Sequence, residues 1–268
     1  MNDLLKTTII ASLKAGKEIL RIYDTKFDIE YKDDNSPLTL ADKNANDIIV
    51  SYIEKSGIPI LSEEGRSIPF DERKSWNKLW IVDPLDGTKE FVNRNDEFTV
   101  NIALVEDGVP ILGVVYAPVL DILYFGEKAL GSFKLEGAYS KINSIDEMML
   151  QVEELPLQVS KTYFGIVASR SHLNPQTTEY INKIRNGHDD VKIISKGSSL
   201  KICMIAEGVA DVYPRFGPTS EWDTAAGHAV VLYSGGRIVQ ANSENEEVIY
   251  NKENILNPWF IAKSKNNQ

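Results

Sequence analysis

Apolar residues Leu4, Leu5, Ile9, Leu13, Ile19, Leu20 and Tyr23, with Thr8 and Gly16 among them, recur at helical spacing and predict an amphipathic helix at the N-terminus. A short stretch over 27–31 then reads as a strand, 33–37 as a turn, and Thr39 as the cap of a helix whose first turn carries Asp42. Another short strand is expected over 58–62. Between 97 and 136, β-runs at 98–105, 111–116 and 122–125 are broken by Asp107-Gly108 and Pro118, the pattern of an antiparallel meander. Past Ser160 the texture becomes strand (165–169), helix (175–185), strand (191–194), helix (198–207), strand (210–213) and helix (224–233). Such alternation marks an α/β half. The expected class is α+β with an α/β C-terminal half: an α+β part with an antiparallel sheet over 1–140, an α/β part over 141–268, and a cleft between them.

Composition narrows the function. The chain has 268 residues and a net charge of −10, enough to bury a large core but wrong in sign for a nucleic-acid polymer or an anionic lipid surface. Its single cysteine, Cys203, excludes an internal disulfide and sits in the apolar run Ile202-Cys203-Met204-Ile205-Ala206, where a packed thiol is expected rather than a nucleophile. Lys6, Lys14 and Lys17 interrupt the first apolar residues before a signal or a membrane span is complete.

The most informative stretch is Trp80-Ile81-Val82-Asp83-Pro84-Leu85-Asp86-Gly87-Thr88. Pro84 fixes one dihedral and Gly87 permits positive φ, so the turn can aim Asp83, Asp86 and the Leu85 carbonyl at one point. Oxygen donors in that pattern suit a hard divalent cation, although Asp-Pro and Asp-Gly also form ordinary surface turns. Two further acidic signals weigh against the ordinary turn. The 58–62 strand delivers Glu63-Glu64-Gly65, and Asp223 stands at the mouth of the Ala-rich helix, where a mere helix-dipole charge is the alternative. Glu64 reads either as a partner to a ligand or as a surface charge. His228 on the Ala-rich helix reads as structural, and His188 carries no assignment.

The order Asp42, Glu63-Glu64, Asp83-Pro84-Leu85-Asp86-Gly87-Thr88 and Trp222-Asp223 resembles the signature of the lithium-sensitive, magnesium-dependent phosphatases of the inositol monophosphatase superfamily. Within it the wording is similar to the bacterial 3'(2'),5'-bisphosphate nucleotidases at Asp34-Asn35-Ser36-Pro37-Leu38-Thr39, at 97–118, at Gly197-Ser198-Ser199-Leu200-Lys201 and at Tyr213-Pro214-Arg215-Phe216-Gly217-Pro218. The resemblance covers nearly the whole chain and is weakest over 140–162. It implies a layered αβαβα sandwich and two or more Mg²⁺ ions per site, about 4 Å apart in the usual two-metal arrangement. It also implies that Glu63, Asp83 and the Leu85 carbonyl hold the first ion and that Asp83, Asp86 and Asp223 hold the second.

The catalytic pair expected from the resemblance is Thr88, orienting a water, and Asp42 behind it, taking the proton. Backbone amides at Gly87 and Thr88 are candidates for cradling phosphate oxygens. A second phosphate needs fixed positive charge, for which Ser198, Ser199, Lys201 and Arg215 are the candidates, with solvated surface charge as the alternative for the last two. His172 is a candidate for the base or ribose. With Asp86, Gly87, Thr88 and Asp223 at the reacting phosphate, the implied activity is hydrolysis of 3'-phosphoadenosine 5'-phosphate to AMP and phosphate, with the sulphated nucleotide as a second substrate. Open alternatives are an inositol monophosphatase, a fructose-1,6-bisphosphatase and a non-catalytic nucleotide-binding regulator. The resemblance further implies a small nucleotide partner, no nucleic-acid polymer, a monomer or homodimer, and a cytoplasmic place or a peripheral one at the inner membrane.

Overall fold

The computed structural model describes residues 2–24, 29–31, 37–158, 160–168 and 174–267. His172 and the turn expected from Asp33 lie outside the described residues. Helix α1 (Asp3–Tyr23) begins on Asn2, whose side-chain oxygen accepts the Leu5 amide at 2.8 Å, and it buries Leu5, Ile9, Leu13 and Ile19. Strands β1 (Ile29–Tyr31) and β2 (Pro37–Thr39) form an antiparallel ribbon that leads into α2 (Leu40–Ile53), with Thr39 immediately ahead of the helix and Asp42 in its first turn.

Next come β3 (Ile60–Ser62), α3 (Phe70–Arg73), β4 (Lys78–Asp86), α4 (Thr88–Val92) and the expected meander. Its strands are β5 (Thr99–Glu106), β6 (Val109–Ala117), β7 (Ile122–Glu127) and β8 (Gly131–Glu136). The stretch where the resemblance is weakest holds α5 (Ile145–Met149) and β9 (Glu153–Glu154), which pairs with β8 beyond residue 140. The C-terminal part runs β10 (Phe164–Val167), α6 (Pro175–Arg185), β11 (Val191–Ile194), α7 (Leu200–Ala206), β12 (Val212–Arg215), α8 (Glu221–Tyr233), β13 (Arg237–Gln240), β14 (Ser243–Glu247) and β15 (Phe260–Lys263).

The first sheet has the order β3-β4-β5-β6-β7-β8-β9, parallel only between β3 and β4. The second has the order β11-β10-β12-β15-β13-β14. Here β10 is parallel to its neighbours, as alternation predicts, but β15 runs antiparallel to both β12 and β13. The C-terminal strands were not expected. β13 and β15 lie past α8, outside the strand–helix alternation that marked β10, β11 and β12, and tertiary pairing defines them.

Among the described residues three cores define the layers. Helices α1 and α2 cover one face of the first sheet with Trp80, Val82, Val100, Ile102, Val114 and Tyr116. Leu79, Ile81, Ala103, Val105 and Val115 face the other way, onto α7, α8 and the inner side of the second sheet. The outer side of that sheet packs Ile166, Val212 and Ile261 against Ile181 of α6. The order is α, β, α, β, α, and β4 is apolar without alternation because both its faces are covered. Helix α8 lies close on the first sheet: a Cβ at Gly113 would stand 2.3 Å from the Ala226 carbonyl oxygen, and one at Gly126 2.7 Å from that of Ala229. Among the described residues no helix is long and apolar enough to cross a membrane.

Candidate active site

The site forms where β3 and β4 end and α8 begins. Parallel pairing places Ser62 opposite Val82, and the Glu63 amide donates to the Val82 carbonyl at 3.1 Å, so Glu63 follows its strand to the side of Asp83. Along β4, Asp83 pairs with Asn101 and Asp86 with Thr99, which leaves one extra residue between the carboxylates on the β4 side. That bulge, at Pro84-Leu85, turns the strand out of register and re-aims its side chains. Leu85 donates its amide to Asp83 Oδ1 at 3.2 Å, and Thr88 Oγ1 donates to the Leu85 carbonyl at 3.4 Å. Gly87, at φ +92°, takes the left-handed conformation that lets α4 begin at once.

Asp223 is the third residue of α8, and its Oδ2 accepts the Ser220 amide at 2.8 Å. Ligand oxygens of Glu63, Asp83 and Asp223 all lie within 4.8 Å of one another. Asp83 is 1% exposed, and burial, followed by the charges of Glu63, Asp86, Asp223 and Asp42, holds its carboxyl well above the usual range. Burial and Asp86 push Asp223 up to about 8, with Glu63 adding to them and the Ser220 amide and Arg215 opposing. Hard oxygen donors packed this closely are short of positive charge, so the donor set fits a divalent cation. Asp42, 2% exposed, lies near enough to add to the field at Asp83. Glu64 is half-buried in the turn after β3.

Asp86 stands apart from that trio. Its Oδ2 accepts the Ser198 hydroxyl at 2.5 Å and the Ser199 hydroxyl at 2.8 Å, with Asn101 Nδ2 at 3.4 Å and Thr99 Oγ1 at 3.5 Å. The Ser198 hydroxyl, a sequence candidate for substrate, is thus engaged with a carboxylate. Sequence reasoning did not single out Thr99 and Asn101. The signal was there in two polar residues alternating with Phe98, Val100 and Ile102 ahead of the apolar run Ile102-Ala103-Leu104-Val105.

A cavity of about 140 Å³ is lined by Asp86, Gly87, Ser198, Lys201, Arg215 and Asp223. Both cations therefore line the same cavity as Asp86 and Asp223. Burial lowers the Lys201 ammonium, Asp86 raises it and Arg215 lowers it again. Lys201 donates to the Lys196 carbonyl at 3.5 Å, and Arg215 Nη2 to that of Pro218 at 3.1 Å. Arg215 Nε is buried with no hydrogen-bond partner. His228 is buried at one end of a 3.0 Å bond from Nδ1 to the Tyr250 hydroxyl, while its Nε2 has no partner, and burial lowers its pKa to about 3. His188 is exposed on the surface, and Cys203 is buried, with its thiol pushed up by burial.

The inositol monophosphatase family profile matches residues 1–268. The protein named 3'(2'),5'-bisphosphate nucleotidase CysQ from Buchnera aphidicola is 47% identical over 258 residues, covering 93% of this chain and 89% of its own. Its namesake from Escherichia coli K12 is 42% identical over 253 residues, covering 92% and 94%. Among solved structures, CysQ from Bacteroides thetaiotaomicron, described as a bacterial member of the inositol monophosphatase family, matches with a TM-score of 0.89, 49% identity and coverage of 97% and 96%. The extragenic suppressor protein suhB from Bartonella henselae matches with a TM-score of 0.75, 26% identity and coverage of 98% and 95%. With its layered fold and its carboxylates gathered at the end of β4, this chain belongs to the inositol monophosphatase family.

Proposed function

We propose that this protein is a Mg²⁺-dependent 3'(2'),5'-bisphosphate nucleotidase that hydrolyses 3'-phosphoadenosine 5'-phosphate to AMP and phosphate, with the sulphated nucleotide as a second substrate. The observation that carries the reading is one cavity that joins Asp86 and Asp223 to Lys201 and Arg215. A monoester phosphatase needs the acidic side alone, whereas a substrate with a second, unreacting phosphate also needs fixed cations. Arg215 lines that cavity beside Lys201 and brings guanidinium donors for an acceptor of that kind. The names of relatives at 42–47% identity over nearly the whole chain support the same substrate class.

Glu63, Asp83, the Leu85 carbonyl, Asp86 and Asp223 would hold Mg²⁺. Bound there, the metal supplies Lewis acidity, offsetting phosphate charge and making water a better nucleophile. Thr88 spends its own proton on the Leu85 carbonyl, so its lone pairs are left to accept a hydrogen bond from the attacking water and hold it. Asp42 is the carboxylate that takes the water's proton as oxygen bonds to phosphorus. The bond from phosphorus to the 3'-oxygen breaks, and that oxygen leaves with a proton from solvent. Lys201 and Arg215 hold the 5'-phosphate and take no part in the bond changes.

Phosphate release from 3'-phosphoadenosine 5'-phosphate, inositol 1-phosphate and fructose 1,6-bisphosphate, each with Mg²⁺ and with chelator, tests the proposal. The nucleotide is expected to be hydrolysed fastest, and chelator to stop it. Faster release from either of the other two would overturn the substrate assignment.

A further inference from the structure

Thr99, Asn101 and Ser199 have no role in the reaction described above, yet they are 0%, 1% and 3% exposed and all turn polar atoms toward Asp86. Buried hydroxyls and amides cost stability unless they are bonded, so such a group marks a place where orientation matters. Thr99 and Asn101 come from β5 of the first sheet, and Ser198 and Ser199 from the segment ahead of α7, about a hundred residues later. Asn101 Nδ2 donates to Ser199 Oγ at 2.9 Å, which fills a lone pair of that hydroxyl. The Ser199 proton is then directed to Asp86 Oδ2 at 2.8 Å or to the Asp223 carbonyl at 3.0 Å, and both belong to residues of the site. Thr99 Oγ1 donates to Asn101 Oδ1 at 3.0 Å, fixing that amide, and lies 2.6 Å from Ser198 Oγ, whose proton goes to the same Asp86 oxygen. Ser198 makes this contact from φ +51°, a left-handed conformation unfavourable for a residue other than glycine.

We infer that Thr99, Asn101 and Ser199, with Ser198, are positioning residues that commit Oδ2 of Asp86 to the protein and thereby present its other oxygen to the metal. The inference rests on the metal-binding reading of the site given above. A carboxylate free to rotate offers a cation either oxygen at the cost of ordering the side chain on binding. One whose Oδ2 is already saturated by donors is ordered in advance, and its remaining charge is directed to Oδ1. The same bonds tie the segment that carries Lys201 to the ligand, so the cation arm and the metal site keep one relative placement.

The test is Mg²⁺ titration of substrate-free protein by calorimetry, alongside melting curves in chelator, for wild type, Thr99→Val, Ser199→Ala and Thr99→Ser. Removing partners that orient a metal ligand typically weakens metal affinity about 10–100-fold, the loss expected for Thr99→Val and Ser199→Ala. Thr99→Ser keeps the hydroxyl and should bind Mg²⁺ as wild type does. Ser199→Ala lies on a different element, so the test survives a failure of Thr99→Val to fold. Folded variants that bind Mg²⁺ like wild type, or equal losses in Thr99→Val and Thr99→Ser, would overturn the inference. Wild type that binds no Mg²⁺ would instead overturn the proposed function on which it rests.

Discussion

Asp86 and Asp223 line the same cavity as Lys201 and Arg215, and its acidic and cationic walls are built on different terms. The acidic wall uses short side chains on the ends of β3 and β4 and in the first turn of the 13-residue α8, with backbone bonds at 3.1 and 2.8 Å fixing Glu63 and Asp223. The cationic wall uses the two longest cationic side chains, on the seven-residue α7 and the four-residue β12. Lys201 and Arg215 donate to carbonyls at 3.5 and 3.1 Å, and the Arg215 side chain also bonds that of Tyr213. Short side chains on rigid elements give a metal a fixed set of oxygens, while long ones reach a group whose place varies with the substrate. Damage to the acidic wall should stop the reaction, and damage to the cationic wall should change what is hydrolysed.

The largest effect tests the first half of that contrast. Asp83→Asn keeps the shape of the side chain and removes a charge from the centre of the acidic cluster. Turnover should fall about a thousandfold or more, the equivalent of several kcal/mol of transition-state stabilisation. Phosphate release near the wild-type rate at ordinary Mg²⁺ would break the assignment. The next effect belongs to the same wall but not to its ligands. Thr88→Ala and Asp42→Asn should each lower kcat by about 10²–10⁴-fold while leaving the Mg²⁺ concentration for half-maximal rate nearly unchanged. Full turnover in both would return Asp42 to the first turn of α2 as an ordinary helix charge.

The smallest effect is on stability. Asp83 stands well above the usual carboxylate range and Asp223 at about 8, against 3.8 for each in the unfolded chain. A folded-state pKa above the unfolded one means that the unfolded chain gives up these protons first. Stability in chelator should therefore fall as pH rises from about 4 toward 8. Asp83→Asn should flatten that slope and raise the melting temperature in chelator, and Mg²⁺ should remove most of it in wild type. A melting temperature in chelator that climbs over this pH range would contradict the crowding of charge at the end of β4.

The two walls also differ in how far they could be read from sequence. The acidic one was legible because its signals are local: Pro84 and Gly87 shape the turn, and Glu63 and Asp223 stand where apolar runs end or begin. Helix α6 and strand β11 match the expected bounds for a similar reason, with Asn174 accepting the Thr177 amide at 2.8 Å and Pro175 opening the helix. Lys201 and Arg215 were named as an anion seat, with the resemblance deciding against surface charge, but that they share a cavity depends on how β12 and α7 pack. Thr99 and Asn101 were not singled out, since their role comes from a partner segment about a hundred residues away. The antiparallel return of β15 between β12 and β13 was missed because it lies past α8, outside the strand–helix alternation that marked β10, β11 and β12, and the Asn2 cap because nothing local distinguishes it from a polar terminus.

The most direct measurement compares kcat/KM for 3'-phosphoadenosine 5'-phosphate with that for 3'-AMP, which lacks the second phosphate, in wild type and in Lys201→Ala and Arg215→Ala. Charge-assisted hydrogen bonds of this type contribute roughly 1.5–3 kcal/mol, so each variant should lose about tenfold to a hundredfold on the bisphosphate and little on the monophosphate. Misfolding would lower both activities together and is separated by that ratio. Equal losses on the two substrates, or none on either, would contradict the division of labour between the walls.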